Sequence, residues 1–99
     1  METTSKNGIL VRLPDERWQH ITTEHAEVSD LRAEVLKVDS EPEAIYEGGD
    51  GELLAVREVE AGKWLVVVYR ELGDEGFIIT AFWTRRKQSL DRRTVVWSP

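Results

Sequence analysis

The sequence predicts an α+β fold, with two N-terminal helices packed on a four-stranded antiparallel β-meander, in a single domain over residues 1–99. Three observations predict it. Apolar residues recur at helical spacing only before Pro42, and apolar runs at strand spacing follow it. The apolar runs are joined by connections of two to five residues, too short for the crossovers that a parallel sheet requires. The 40% apolar content over 99 residues suits one compact core.

Residues 1–8 are expected to be a flexible N-terminus. The run "LPDERWQHITTEH" then opens a helix, because Pro14 presets φ and Asp15 and Glu16 suit the positive end of the dipole. Trp18, Ile21 and His25 share one helical stripe. A second helix is predicted from Ser29, a good N-cap, with Leu31, Val35 and Val38 on one face and Leu36 beside it. Strands follow at "AIYE", "LLAVREVE", "KWLVVVYRE" and "FIITAFWT", with Gly-rich turns between them. The basic tail, residues 85–99, is read as a short helical turn and a last strand, "TVVW".

The two-residue turn Ala61-Gly62 sets an expected register, with Glu60 opposite Lys63, Val59 opposite Trp64 and Arg57 opposite Val66. Leu54, Val56, Leu65, Val67 and Tyr69 would then form the helix-covered face, and Arg57, Val59, Trp64, Val66 and Arg70 the other. If Val66 meets Ala81 on the next strand, Thr80 points away from Arg57. A slip of one residue brings Thr80 to Arg57's face.

Charge narrows the choice of partners. The net charge is -6, but Asp15 to Glu60 holds 14 acidic and 4 basic residues (net -10), while Arg85 to Arg93 holds 5 basic and 1 acidic (net +4). Nucleic-acid affinity depends on neutralising phosphates, so any such contact is expected locally, towards the C-terminal end. The absence of cysteine excludes disulfides and thiolate metal sites and fits a reducing compartment. No apolar run reaches the length of a membrane span or a signal peptide core, so a soluble, cytoplasmic protein is expected.

Few residues offer chemistry. His20 and His25 are the only histidines, and a separation of five turns them about 140° apart on a helix, which argues against a joint two-histidine mechanism. "HITTEH" lacks the i, i+4 pair of helical zinc sites, so no metal is expected. No phosphate-cradling Gly loop and no nucleophile elbow are present. Arg57 lies within an apolar strand, where its charge calls for a carboxylate or an anionic ligand.

Taken in order, "RLPDERWQHITTEHAEV", "LLAVRE", "WLVVVYRE" and "FIITAFWT" resemble the barnase, EndoU, colicin and RelE nuclease superfamily, and within it the small phage-associated branch. The resemblance spans Arg12 to Thr84. It departs at Phe82, where a tyrosine often follows "TA", and at "EHAE", where a more basic run is usual. It implies a RelE/barnase-like fold and a metal-independent ribonuclease or toxin-like domain that cleaves RNA by 2'-hydroxyl attack, without a cofactor. Carried over, the catalytic set is His20 and His25 for proton transfer, Arg57 for phosphoryl charge and Thr80 for a hydrogen bond to phosphate. Lys63, Arg85, Arg86 and Lys87 would hold flanking phosphates, and Trp64 and Trp83 would stack on bases. The expected partners are RNA and a cognate antitoxin or other protein, with no membrane. The alternative, suited to the acidic body, is a catalytically degenerate member of the same fold acting as a protein-interaction module.

Overall fold

The computed structural model describes residues 1–99. Strands β1 (Glu2–Thr4) and β2 (Leu10–Arg12) precede helix α1 (Asp15–Glu24), a 3-10 turn (Ala26–Val28) and helix α2 (Arg32–Ser40). Then come β3 (Ala44–Glu47), β4 (Leu53–Glu60), β5 (Lys63–Leu72), β6 (Glu75–Thr84), helix α3 (Lys87–Asp91) and β7 (Val95–Trp97). All seven strands form one sheet in the order β1-β2-β6-β5-β4-β3-β7. β2 and β6 run parallel, and every other neighbouring pair is antiparallel.

The expected fold is therefore corrected: the sheet is mixed and seven-stranded with three helices, not a four-stranded meander under two. The four strands read from the apolar runs lie side by side, but the sheet continues beyond them on both edges. Glu2–Thr4, within the segment expected to be flexible, pairs with Leu10–Arg12, and β7 adds to β3. Strands of three residues carry too little alternation to stand out in a sequence, and their partners are distant along the chain.

α1 starts after Pro14, whose extended backbone (φ -63, ψ 155) leads into Asp15 and Glu16 in the first turn. Only Ile21 of this helix is fully buried, and Trp18, half-buried, packs on the same core, so these two side chains attach it to the sheet. Arg32 fastens the start of α2 to the start of α1. Its Nη2 lies 2.8 Å from Asp15 Oδ1 and donates to the Leu13 carbonyl at 3.0 Å, and its guanidinium lies 5.9 Å from the Trp18 ring. That bond and charge hold the Asp15 carboxyl below its usual range. Ser29 does not cap α2, because its hydroxyl donates back to the Ala26 carbonyl at 2.6 Å and Leu31 occupies the cap position.

The sheet carries a core on each face. On the helix-covered face Val11, Ile45, Ala55, Leu65, Val67, Tyr69, Ile78 and Ala81 pack with Ile21, Val28, Val35 and Val38. On the outer face Tyr46, Leu54, Val56 and Val66 pack under Leu90 of α3. The sheet coils so far that Lys6, in the turn after edge strand β1, places its ammonium 5.0 Å from the ring of Trp97 on the opposite edge strand. No helix is long and apolar enough to cross a membrane.

Two irregularities in the strands decide which residues face which way. Glu60 pairs with Lys63 as expected, but Val59 bulges, so Glu58 pairs with Trp64 and Arg57 with Leu65. Arg57 therefore lies on the helix-covered face, and Leu54 and Val56 on the outer one, each the reverse of the expected assignment. The second shift falls at Ile79, between the pairs Val68 with Thr80 and Tyr69 with Ile78.

Candidate functional site

At one end of the helix-covered face, the start of β5 and the end of β6 bring Lys63, Trp83 and Arg85 together. Leu65 pairs with Trp83, and this alternation places Lys63 on the same face. The Lys63 ammonium lies 4.0 Å from the Trp83 ring centroid, and the Arg85 guanidinium 5.6 Å from it. Both distances fall within cation–π range. Neither cation forms an ion pair, although the chain carries 19 acidic residues against 13 basic ones. Two cations without an ion pair, set on one half-buried indole that packs on the core, present a positive surface that suits a phosphate, and a base reaches the ring where the Lys63 ammonium moves aside.

The other proposed phosphate contacts are arranged differently. Lys87 is tied to Asp91 at 3.0 Å, and that bond holds its ammonium above the usual range. Arg86 lines a separate cleft of about 480 Å³ on α3, with Gln88, Ser89 and Arg92. Trp64 pairs with Thr84 on the outer face and packs, half-buried, against the core under Leu90, away from the Lys63 and Arg85 cations at Trp83.

The four residues expected to be catalytic do not share a groove. Arg57 donates from Nη1 to the Glu41 carbonyl at 2.8 Å, and Glu41 is the C-cap of α2. It thus places a cation at the negative end of that helix, a structural task. Thr80 pairs with Val68 on the outer face, across the sheet from Arg57, and its Oγ1 is buried with no hydrogen-bond partner. The β6 register is the slipped one that would have joined them, but the Val59 bulge turned Arg57 over as well, so the two remain apart.

The histidines also separate. His20 lies 3.1 Å from Glu24 one turn on and lines a cleft beside Phe77. His25, beyond the end of α1, lies 3.5 Å from Glu27 and rests its ring on Phe82 at 5.8 Å between centroids. It reaches Phe82 because β2 pairs only with Glu75–Phe77, leaving the rest of that edge of β6 to α1 and the 3-10 turn. Phe82, the position that departs from the family pattern, is thus the seat of a histidine ring.

One polar group within the core escaped the sequence reading. Asp39 on α2 is fully buried, and neither of its carboxylate oxygens has a hydrogen-bond partner. Burial, with the Glu71 carboxylate nearby as a smaller cause, pushes its carboxyl up from 3.8 to about 7. The Tyr69 hydroxyl is likewise buried and unpartnered, and burial first, then Asp39 and Glu71, hold it above its usual range. Glu71 itself accepts hydrogen bonds from the Ser5 hydroxyl and, at 2.8 Å, from Asn7, which fixes the β1–β2 turn over this end of α2. The signal was present: Asp39 lies four residues after Val35, on the apolar stripe of its helix.

Comparison of the chain with family models, with curated proteins and with solved structures finds no match.

Proposed function

We propose that the chain binds single-stranded RNA at the end of the sheet where Lys63 and Arg85 converge on Trp83. The observation that carries this reading is the pair of cations left without carboxylate partners on one indole in a chain of net charge -6. Backbone phosphates would take the two charges, and an unpaired base would stack at the Trp83 ring.

Metal-independent cleavage, which the resemblance to the barnase, EndoU, colicin and RelE superfamily implies, needs a base, an acid and a cation around one phosphorus. The capping role of Arg57, the buried Thr80 hydroxyl and the separate places of the histidines favour binding over cleavage.

Fluorescence anisotropy with a labelled single-stranded RNA tests the reading. Binding should weaken as salt rises, and the double substitution Lys63→Ala with Arg85→Ala should reduce the logarithmic salt slope by roughly 1.4, about 0.7 for each lost phosphate contact. An unchanged slope would remove the assignment. RNA cut in chelator by the native chain but left intact by His25→Ala would restore the catalytic reading.

A further inference from the structure

α3 covers only part of the outer face, closing with Leu90 over Tyr46, Leu54, Val56 and Val66. At the uncovered end Phe77 is 40% exposed, which is unusual for a large apolar side chain in the body of a sheet. Register sets Arg12 of β2 on one side of Phe77 and Arg70 of β5 on the other. Residues paired across strands share a face, so Arg12, Phe77 and Arg70 rise from the same side of the sheet, although the Arg70 guanidinium reaches away towards Glu52.

Beyond Arg12 the chain turns at Pro14 into α1, which presents Arg17 and His20 three residues apart, on one side of the helix. These two and Phe77 line a cleft of about 490 Å³ that also touches Ile78. Glu16 is the one carboxylate in its lining. Arg12 and Arg17 form no ion pair, and the nearest carboxylate contact of Arg70 is a long one, 3.8 Å to Glu52. Arg12 has Glu2 as its cross-strand neighbour and Arg70 reaches towards Glu52, but Arg17, without an ion pair beside an exposed ring, gains nothing there for the fold. The grouping is accounted for by a ligand with a flat π face and an anionic group.

We propose that this cleft is a nucleotide site, in which a base stacks on Phe77 and the phosphate is held by Arg17, with His20 beside it. The cleft falls within the range of about 300–1,000 Å³ common to small-molecule pockets. Arginine offers planar paired donors to phosphate and also packs on aromatic faces, so both parts of a nucleotide are served by the same residues. The site is independent of the RNA surface: Trp83 lies on the opposite face, roughly 20 Å along β6 from Phe77 at about 3.3 Å per residue. The shared chemistry, a nucleoside 5'-monophosphate unit, has two sources, a free nucleotide or the phosphorylated end of an oligonucleotide.

Isothermal titration with adenosine 5'-monophosphate and with a 5'-phosphorylated tetra-adenylate separates these sources, with adenosine and inorganic phosphate as the fragments. At least one phosphorylated ligand is expected to bind about tenfold or more tightly than either fragment, and Phe77→Ala and Arg17→Ala should each weaken it by about tenfold. The tetra-adenylate is titrated into the Lys63→Ala, Arg85→Ala double variant, so that the RNA surface at Trp83 does not contribute. Binding of the mononucleotide assigns a free nucleotide; binding of the tetranucleotide alone, weakened by Phe77→Ala, assigns a phosphorylated end. Both the Phe77 and the Arg17 substitutions fall on exposed side chains, and circular dichroism confirms that the variants are folded. The proposal is overturned if neither ligand binds at millimolar concentration, if adenosine binds as well as its phosphate, or if both variants bind like the native chain.

Discussion

Replacing Asp39 by asparagine should make this protein less sensitive to pH, and the size of the effect follows from its surroundings. The carboxyl is fully buried with no hydrogen-bond partner, and its folded pKa is raised from 3.8 to about 7. A raised pKa means that between these values the folded state binds a proton that the unfolded state has released. Stability from this group is therefore complete below pH 4 and is lost as pH rises towards 7. Each unit is worth about 1.4 kcal/mol, so the roughly 2.5 units between pH 4.5 and 7 amount to about 3 kcal/mol. The asparagine side chain would be neutral throughout. Its buried amide carries its own cost, but that cost does not vary with pH and cancels when the native-to-variant difference at pH 8 is compared with that at pH 4.5. Urea unfolding at both values, with equal m-values, gives the number. The native chain should lose about 3 kcal/mol more than Asp39→Asn between them. Parallel pH profiles for the two proteins would refute the reasoning, because they would mean that Asp39 keeps an ordinary pKa.

Other substitutions probe the site assignments. Arg57→Ala should cost about 1 kcal/mol through loss of the cation at the end of α2, read by urea midpoint, and leave RNA affinity unchanged; a fall in affinity would place Arg57 in the interface. Thr80→Val should be neutral or stabilising by about 1 kcal/mol, because the hydroxyl is buried without a partner; a loss of about 2 kcal/mol would show a bond to that oxygen. Gly76→Ala should destabilise by about 1–3 kcal/mol, since its Cβ would lie 3.0 Å from Val11 Cγ2 and 3.2 Å from the Arg70 carbonyl, where β2 and β6 meet. An unchanged thermal midpoint would show that these parallel strands are not in close contact there.

The candidate interface was partly legible before the fold was known. Lys63, Trp83 and Arg85 stood out as basic and aromatic residues at strand ends, and the structure gathers them on one ring. Arg57 and Thr80 stood out as polar residues within apolar strands, yet a helix end accounts for the first and the second has no bond at all. The cleft at Phe77 is not legible in the sequence, because strand residues 65 positions apart, Arg12 and Phe77, become neighbours only through a parallel pairing that brings α1 to this edge.

By itself, the sequence determined the local elements whose cause is local. Helical spacing around Ile21 and Val35, Pro14 at a helix start, and long β-branched runs with glycine turns specified α1, α2 and β3 to β6. The tertiary structure alone decided what surrounds them and which way they face. β1, β2 and β7 are three residues each and exist because distant partners offer hydrogen bonds to their backbones. The irregularities at Val59 and Ile79 reverse every side chain beyond them, and because strand alternation has a period of two, one inserted residue exchanges the faces while leaving the apolar pattern of the sequence unchanged.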